Sequence, residues 1–318
     1  MSEFWRRQLV RFDEVTKGWT ALDAATIEKL VSSDYGFEDL STDVDEPTQD
    51  ESYIDALKAL AVAVAVGRRR KAELAGVEKG TWEHARALGF LKHEGLLDEY
   101  TRFMSPLRIR STMSTARHWY YARLLDRLID EHHGSGAVDI LEIGGGAGNL
   151  AYFVTVLGRV RSYTIVDLPE MLVQSGFTLA SKLPQAELVF PPSPVAHSGP
   201  GQYRFLIPAE GSELPEHAFD VALNFNSFME MDREVRDDYF DLIYRVARAQ
   251  ALFVNVNRRQ RALPLEDDRT WDNNPLLYPY RNDEVLLWEE ERFQTATRAD
   301  FNSLPSLTVL RAGIIRPQ

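Results

Sequence analysis

The chain has 318 residues, of which 44% are hydrophobic and 26% charged, a composition typical of a soluble protein with one large domain or two modest ones. It contains no cysteine, which excludes disulfides, thiolate catalysis and cysteine-ligated zinc. Its formal net charge of -12 argues against a nucleic-acid backbone as the main partner, because phosphate binding needs a basic surface.

The amino-terminal residues carry no signal for export or membrane insertion. Residues 1–10 contain acidic and basic side chains without an apolar core, so no secretory signal is expected. The longest apolar run, Ala56–Val66, is interrupted by Lys58 and is too short to span a bilayer. We therefore expect a cytoplasmic protein without a membrane partner.

The first part of the chain is predicted to be helical, because apolar residues recur there at three- and four-residue spacing. The predicted helices are Ala21–Val31, Tyr53–Val66, Trp82–Glu99 and Thr115–Glu131. Four aromatic residues near the start have the spacing of a core or a dimer face. They are Phe4, Trp5, Phe12 and Trp19. We assign residues 1–115 to a helical cap that contributes to a substrate pocket and to a homodimer.

From Val138 onward, short apolar runs alternate with helical stretches. The predicted strands are Val138–Ile143, Ser162–Val166, Tyr203–Ile207, Phe219–Leu223, Ala251–Val256 and Leu307–Ile314, the last of which fits an antiparallel edge strand. The predicted helices are Gly148–Leu157, Pro169–Leu183 and Arg233–Arg248. Such alternation indicates a parallel sheet that has helices on both faces and binds its ligand at the carboxyl ends of the strands. We predict that residues 116–318 form this α/β, Rossmann-like domain.

The segment Leu141–Leu150, LEIGGGAGNL, lies between an apolar strand and an apolar helix. Glycines allow a tight turn and a close approach of backbone to a ligand. Glu142 stands just before the turn, and Asp167 ends the next predicted strand. An acidic residue about 20 positions beyond such glycines commonly binds a ribose hydroxyl pair. These features predict a site for a nucleoside cofactor.

Two cofactors fit this pattern. The nicotinamide pattern G-x-G-x-x-G/A fails from Gly144, where Asn149 takes the third small position, but it is met from Gly146. The carboxylate of Glu142 suits a ligand with an ammonium and a sulfonium better than one with a pyrophosphate. S-adenosylmethionine is therefore preferred over a nicotinamide dinucleotide, which remains the more remote alternative.

Three motifs resemble those of class I S-adenosylmethionine-dependent methyltransferases. They are E-I-G-G-G-A-G-N at Glu142–Asn149, V-D-L-P at Val166–Pro169 and F-D-V-A-L-N at Phe219–Asn224. More narrowly, N-F-N-S-F-M-E-M at Asn224–Met231 and F-V-N-V-N-R at Phe253–Arg258 resemble bacterial sugar O-methyltransferases of natural-product gene clusters. The resemblance covers residues 110 to 318. Related enzymes of such clusters methylate carbon or nitrogen of indole alkaloids and cyclic dipeptides, so the acceptor stays open between these classes.

The resemblance implies a role for each residue around the cofactor. Gly144, Gly145 and Gly146 would lie against its amino-acid end, and Glu142 would order its ammonium. Asp167 would accept the two ribose hydroxyls, and Leu168 would pack beside the adenine or ribose. Asn224 and Phe225 would lie below the methionyl chain. The alternatives are helix capping for Glu142 and Asp167 and strand-end turn chemistry for Asn224 and Phe225.

The acceptor side has fewer candidates. A sugar hydroxyl needs a base, and the catalytic candidates are Glu230, His118 and His197. Asn226 and Ser227 are candidates for orienting the substrate. From the helix that leads into the α/β domain, Arg117 and Tyr120 are candidates for the cofactor carboxylate and the substrate. Each catalytic candidate also has a non-catalytic interpretation. These are a carboxylate in the first turn of a helix for Glu230, a surface loop for His197 and ordinary helix packing for His118. The carboxylates show no spacing that selects a metal site, so no metal ligand is assigned and the use of a divalent cation stays open.

Overall fold

The computed structural model describes residues 79–104, 111–190, 199–258, 274–297 and 308–316. The described residues belong to two compact units, here called the helical unit and the sheet unit. The helical unit comprises 79–104, 111–124 and 292–297. The sheet unit comprises 125–190, 199–258, 274–291 and 308–316. The division falls at Leu124 and Leu125, within the helix that also contains the predicted boundary between residues 115 and 116.

The described residues of both units form helices and strands, which alternate along the sheet unit. The helices of the described residues are α1 (Lys79–His93), α2 (Leu97–Met104), α3 (Met113–His133), α4 (Asn149–Val156), α5 (Pro169–Lys182), α6 (Pro208–Gly211), α7 (Arg233–Val246) and α8 (Arg292–Thr297). The strands are β1 (Val138–Ile143), β2 (Val160–Val166), β3 (Glu187–Val189), β4 (Gln202–Leu206), β5 (Phe219–Phe225), β6 (Ala247–Arg258), β7 (Glu284–Glu290) and β8 (Thr308–Ile314). Short 3₁₀ turns occupy Phe228–Glu230 and Pro275–Leu277.

The helical unit is held together by aromatic contacts. The ring of Phe90 in α1 lies 5.1 Å from that of Tyr120 and 5.3 Å from that of Phe293. The segment Arg292–Thr297 therefore packs with α1, although it lies between strands β7 and β8 in sequence. The single helix predicted over Trp82–Glu99 is instead two helices, because Gly95 adopts a φ of 72° that ends α1.

The eight strands form one sheet in the order β3-β4-β2-β1-β5-β6-β8-β7. The first six are parallel, and β8 runs antiparallel to both β6 and β7. The α/β, Rossmann-like fold predicted from the alternating pattern is confirmed. The prediction of β8 as an antiparallel edge strand is correct in direction and wrong in place, because β7 lies outside it. Strand β7 was not predicted, since its largely exposed side chains show no alternation.

Successive side chains along each strand point to opposite faces of the sheet. Leu141 and Ile143 of β1 pack with Phe240 and Ile243 of α7. Glu142, between them, faces the opposite side, which the right-handed crossovers through α4 and α5 cover. There the first turn of α4 approaches α5 so closely that a Cβ on Gly148 would lie 3.0 Å from the Cβ of Ser175. Because β1 pairs in parallel with both β2 and β5, the carboxyl ends of these three strands lie at one edge of the sheet, where the glycine loop begins.

The predicted helices Ala21–Val31 and Tyr53–Val66 and the aromatic residues Phe4, Trp5, Phe12 and Trp19 lie outside the described residues. Helix Thr115–Glu131 is confirmed with slightly wider bounds, as α3. Helix Arg233–Arg248 ends two residues early, because β6 begins at Ala247. In the part of the chain that the structure describes, no helix combines the length and hydrophobicity needed to cross a lipid bilayer.

Candidate functional site at the carboxyl ends of the strands

The glycine loop connects β1 to α4 and leaves space beside its backbone. Gly144 has a φ of 75°, and a Cβ there would overlap the Ser227 hydroxyl. A Cβ on Gly145 would lie 3.0 Å from Oε2 of Glu142. At Gly146 the nearest atom to such a Cβ would be Cε of Met171, at 4.0 Å. The first two glycines are thus required by the protein's own packing, whereas Gly146 borders open space where a ligand can lie against backbone.

Glu142 is a buried carboxyl in the middle of the site. It is 2% exposed and accepts a 2.8 Å hydrogen bond on Oε2 from the hydroxyl of Tyr163. Burial raises the pKa of Glu142 to about 7, and the charge of Asp167 adds to this against the opposing effect of the Tyr163 hydrogen bond. The helix-capping alternative does not hold, because α4 has Gly148 as its N-cap and no side-chain cap.

Asp167 follows β2 and touches the glycine loop directly. Its Oδ2 accepts a 2.8 Å hydrogen bond from the N–H of Gly146, and its Oδ1 accepts one of 2.8 Å from the N–H of Leu168. Burial raises the pKa of Asp167 to about 7 despite these bonds, and the charges of Glu170 and Glu230 act in the same direction. Each carboxylate oxygen keeps a second lone pair, so the group can still accept two hydroxyls.

Leu168, and not Asp167, is the N-cap of α5, and it has extended backbone angles. Asp167 therefore does not cap that helix, and its carboxylate holds the glycine loop instead. Leu168 is half-buried beside it.

Asn224 and Ser227 hold the turn that follows β5. The Asn224 side chain is fully buried and donates from Nδ2 to the carbonyl of Ile143, at 2.9 Å, and to the Ser227 hydroxyl. The Ser227 hydroxyl in turn donates to the same carbonyl at 3.1 Å. Oδ1 of Asn224 accepts from the N–H of Phe228 and from the side chain of Asn257. Both amide hydrogens and both acceptor positions of Asn224 are thus used within the protein, which gives this side chain a structural task rather than the predicted cofactor contact.

Phe225 and Asn226 continue the same turn. Phe225 is buried at the end of β5. Asn226 has a φ of 62°, a left-handed conformation that asparagine tolerates better than most residues. Its N–H donates to the carbonyl of Val256 at 2.7 Å and so extends the pairing of β5 with β6. Asn226 therefore shapes the turn through its backbone.

Glu230 ends the 3₁₀ turn Phe228–Glu230 and is half-buried. Its turn follows Ser227, which lies against Gly144, and its charge is among the causes of the raised pKa of Asp167. The structure thus brings together Glu142, the glycine loop, Asp167 and Glu230 at the edge where β1, β2 and β5 end.

The remaining candidates are not among the described residues of the sheet unit. Arg117, His118 and Tyr120 lie on α3 in the helical unit. His118 and Arg117 contact Ser114, through its carbonyl at 2.8 Å and its hydroxyl at 3.4 Å respectively. The ring of Tyr120 is part of the aromatic core of that unit and is 9% exposed. His197 lies outside the described residues.

Two site residues were not predicted from the sequence. Tyr163 is in β2 two residues before the register partner of Glu142, Ile165, and so shares its face of the sheet. Asn257 accepts the N–H of Met229 at 3.1 Å and donates to Asn224 at 2.8 Å. The alternation of Asn255 and Asn257 with apolar residues in F-V-N-V-N-R is the signal for two polar side chains on one face of a buried strand.

No group of three or more histidine, aspartate or glutamate side chains is arranged to hold a metal ion within the described ranges.

Comparisons with known proteins give distant likenesses. No protein-family model matches the chain, and no curated protein matches its sequence. TehB from Haemophilus influenzae has a similar solved structure, with 13% identity, 69% of this chain and 67% of that chain covered, and a TM-score of 0.45. The [4+2]-cyclase SpnF has 15% identity, 62% and 82% coverage, and a TM-score of 0.42. Magnesium protoporphyrin IX methyltransferase (ChlM) from Synechocystis, solved with bound SAM, has 9% identity, 63% and 80% coverage, and a TM-score of 0.41. Likenesses this distant say nothing about the substrate of this chain.

Proposed function

We propose that this protein is an S-adenosylmethionine-dependent methyltransferase that acts on a small natural-product or sugar substrate. The observation that carries the proposal is the pair of carboxyls, Glu142 and Asp167, that flank an open glycine loop at the ends of adjacent parallel strands. Parallel α/β sheets bind their ligands at this edge.

The charge of the site favours a cationic cofactor over a dinucleotide. The charge of Asp167 raises the cost of ionising Glu142, and the charges of Glu170 and Glu230 raise the cost of ionising Asp167. A pyrophosphate would bring two further negative charges into this cluster. S-adenosylmethionine has an ammonium and a sulfonium against a single carboxylate, so it would instead bring a net positive charge, and the electrostatic energy supports it.

The residues present fit this cofactor. Asp167 offers the free lone pairs of both oxygens to the two ribose hydroxyls, while its bond to the N–H of Gly146 keeps it against the loop. Glu142, oriented by Tyr163, offers a carboxylate to the methionyl ammonium. Gly146 leaves room for the amino-acid end. When bound, the cofactor supplies an electrophilic methyl group on a positively charged sulfur.

We propose that the methyl acceptor binds beside the turn that follows β5. For a hydroxyl acceptor, Glu230 would take the proton as the methyl group is transferred. For an indole carbon or nitrogen, orientation and exclusion of water would matter more than a base. The O-methylation of a sugar and the C- or N-methylation of an alkaloid or cyclic dipeptide therefore differ in their demand on Glu230.

Calorimetry of the full chain with S-adenosylhomocysteine tests the cofactor assignment. We expect saturable binding of one molecule per chain, and no binding of NAD. Binding of NAD by a folded sample that does not bind S-adenosylhomocysteine would overturn the proposal in favour of an oxidoreductase. Transfer of labelled methyl from S-adenosylmethionine to a component of a cell extract then tests for turnover.

A further inference from the structure

Two buried asparagines connect the ends of β5 and β6. Asn224 and Asn257 are both 0% exposed, and Nδ2 of Asn257 donates to Oδ1 of Asn224 at 2.8 Å. They belong to the two asparagine motifs, N-F-N-S-F-M-E-M and F-V-N-V-N-R, which lie more than 20 residues apart in sequence. The hydrogen bond explains why both motifs place an asparagine near the end of a strand.

From Asn257, hydrogen bonds run into the turn that carries Glu230. Oδ1 of Asn257 accepts the N–H of Met229 at 3.1 Å, and Oδ1 of Asn224 accepts the N–H of Phe228 at 3.3 Å. The two amides thus hold consecutive N–H groups of the 3₁₀ turn that ends at Glu230. An unpaired buried amide is costly, so this arrangement strongly favours one conformation of the turn.

The same hydrogen bonds continue to the glycine loop. Asn224 and Ser227 both donate to the carbonyl of Ile143, the residue directly before Gly144. Ser227 also lies where a Cβ of Gly144 would be. The turn after β5 and the glycine loop are therefore joined by hydrogen bonds and by direct contact, and neither can shift alone.

We propose that Asn257 is a positioning residue for the cofactor site, which it reaches through Asn224, Ser227 and the carbonyl of Ile143. This inference rests on the proposed function. Asn257 would keep the glycine loop and the turn that carries Glu230 in one fixed arrangement before the cofactor binds. Pre-organisation of this kind lowers the cost of ordering on binding.

Asn255 provides a matched control on the same strand. It is also 0% exposed and lies two residues earlier on the same face of β6. Its side chain exchanges hydrogen bonds of 2.9 and 3.1 Å with the hydroxyl of Tyr280, and these do not lead to the glycine loop. Loss of Asn255 should therefore cost stability much as the loss of Asn257 does, without reaching the cofactor site.

The test compares Asn257→Ala and Asn255→Ala in the full chain, by thermal unfolding, by calorimetry with S-adenosylhomocysteine and by hydrogen exchange of the peptide over residues 226–231. We expect similar losses in Tm. Asn257→Ala should raise the Kd about tenfold and speed exchange in that peptide, whereas Asn255→Ala should change the Kd less than about twofold. Equal Kd values for the two variants would overturn the inference.

A milder variant covers the case in which Asn257→Ala does not fold. Ser227→Ala removes the hydroxyl that accepts from Asn224 and donates to the carbonyl of Ile143, but it leaves the direct hydrogen bond from Asn224 to that carbonyl. It should therefore raise the Kd only about threefold. An unchanged Kd would contradict the connection. If the unaltered, folded protein does not bind S-adenosylhomocysteine, the proposed function fails, and the hydrogen exchange of the turn still shows whether Asn257 holds it.

Discussion

The two ends of the parallel sheet hold buried carboxyl groups in opposite electrostatic settings. At the amino end, Asp139 of β1 and Asp220 of β5 share the guanidinium groups of Arg161 and Arg248. At the carboxyl end, Glu142 of the same strand β1 accepts a hydrogen bond from the neutral hydroxyl of Tyr163. One strand thus carries a compensated and an uncompensated carboxyl only three residues apart.

The pKa values follow this difference. Burial alone would raise the pKa of Asp139, but hydrogen bonds from Arg161, Ser162 and Arg248 outweigh it and hold the pKa below its ordinary value. Burial raises the pKa of Glu142 and of Asp167 to about 7. The charges at the amino end are therefore compensated within the protein, whereas a cationic ligand would compensate those at the carboxyl end. Under the proposed function, buried charge contributes to stability at the amino end and to binding at the carboxyl end.

Asp139→Asn should produce the largest change in stability. It removes the carboxylate that accepts from Arg161, Arg248 and Ser162, and it leaves both guanidinium groups to Asp220 alone. We expect the free energy of unfolding at pH 7 to fall by about 2 kcal/mol, measured with urea, because breaking a partly buried ion network is costly. The Kd for S-adenosylhomocysteine should not change.

A matched control for Asp139→Asn is Asp241→Asn, which breaks an ion pair with Arg281. The side chain of Asp241 is 78% exposed. Its loss should cost less than about 0.5 kcal/mol. Equal losses for the two variants would show that the ion network at the amino end contributes little to the free energy of unfolding. The two ends of the sheet would then not differ in the way proposed.

Glu142→Gln should act in the opposite direction on stability. An uncharged amide can still accept from Tyr163 and does not carry the cost of a buried charge, so the ligand-free protein should gain about 1–2 kcal/mol at pH 8. The Kd for S-adenosylhomocysteine should rise about ten- to a hundredfold, because a charged hydrogen bond is lost. A variant that is less stable and binds as well as the unaltered protein would contradict the assignment of Glu142.

Local sequence order was enough to predict the carboxyl end of the sheet. The strand, the glycine loop and the next strand follow one another, so Glu142, Gly144, Gly145, Gly146 and Asp167 were placed correctly at one edge. The amino end was missed because its ion pairs join distant residues, such as Arg248 and Asp139, which are 109 positions apart.

The same limit applies within the site. The structural task of Asn224 depends on Asn257, 33 positions away, and that of Ser227 depends on the carbonyl of Ile143, 84 positions away. Only the register between β5 and β6 and between β1 and β5 brings these groups together. Pattern and composition carry no information about such register, and the hydrogen bonds of the turn after β5 were not predicted for this reason.

The two ends should also respond to pH in separate windows. In the unfolded chain Glu142 and Asp167 have pKa values near 4, so between about pH 4.5 and 7 the folded protein holds protons that the unfolded chain has released. The stability of the ligand-free protein should therefore fall as pH rises through this window and level off above pH 7. The contribution of Asp139, whose pKa is lowered, is present at neutral pH and should be lost only below about pH 4.

Binding should show the opposite trend in the upper window. Because the proposed contacts of Glu142 and Asp167 with the cofactor need ionised carboxylates, the Kd for S-adenosylhomocysteine should fall about tenfold between pH 6 and pH 8 if one carboxyl must release its proton. Urea unfolding and calorimetry across this range measure both effects. A ligand-free stability that rises from pH 5 to pH 7 would show that the carboxyl end is compensated after all.

Glu230→Gln should give the smallest effect, because Glu230 acts on Asp167 through its charge. Removing that charge should lower the pKa of Asp167, measured by carbon NMR of labelled aspartate carboxyls. The midpoint of the pH dependence of binding should move down with it. An unchanged Asp167 titration would mean that Glu230 lies too far from the cofactor site to act as its base. A lowered Asp167 pKa with little change in the Kd would indicate that Glu230 lies near Asp167 but is not needed for cofactor binding. Its carboxylate, which opposes the ionisation of Asp167, would then be available to attract the proton of an incoming hydroxyl acceptor.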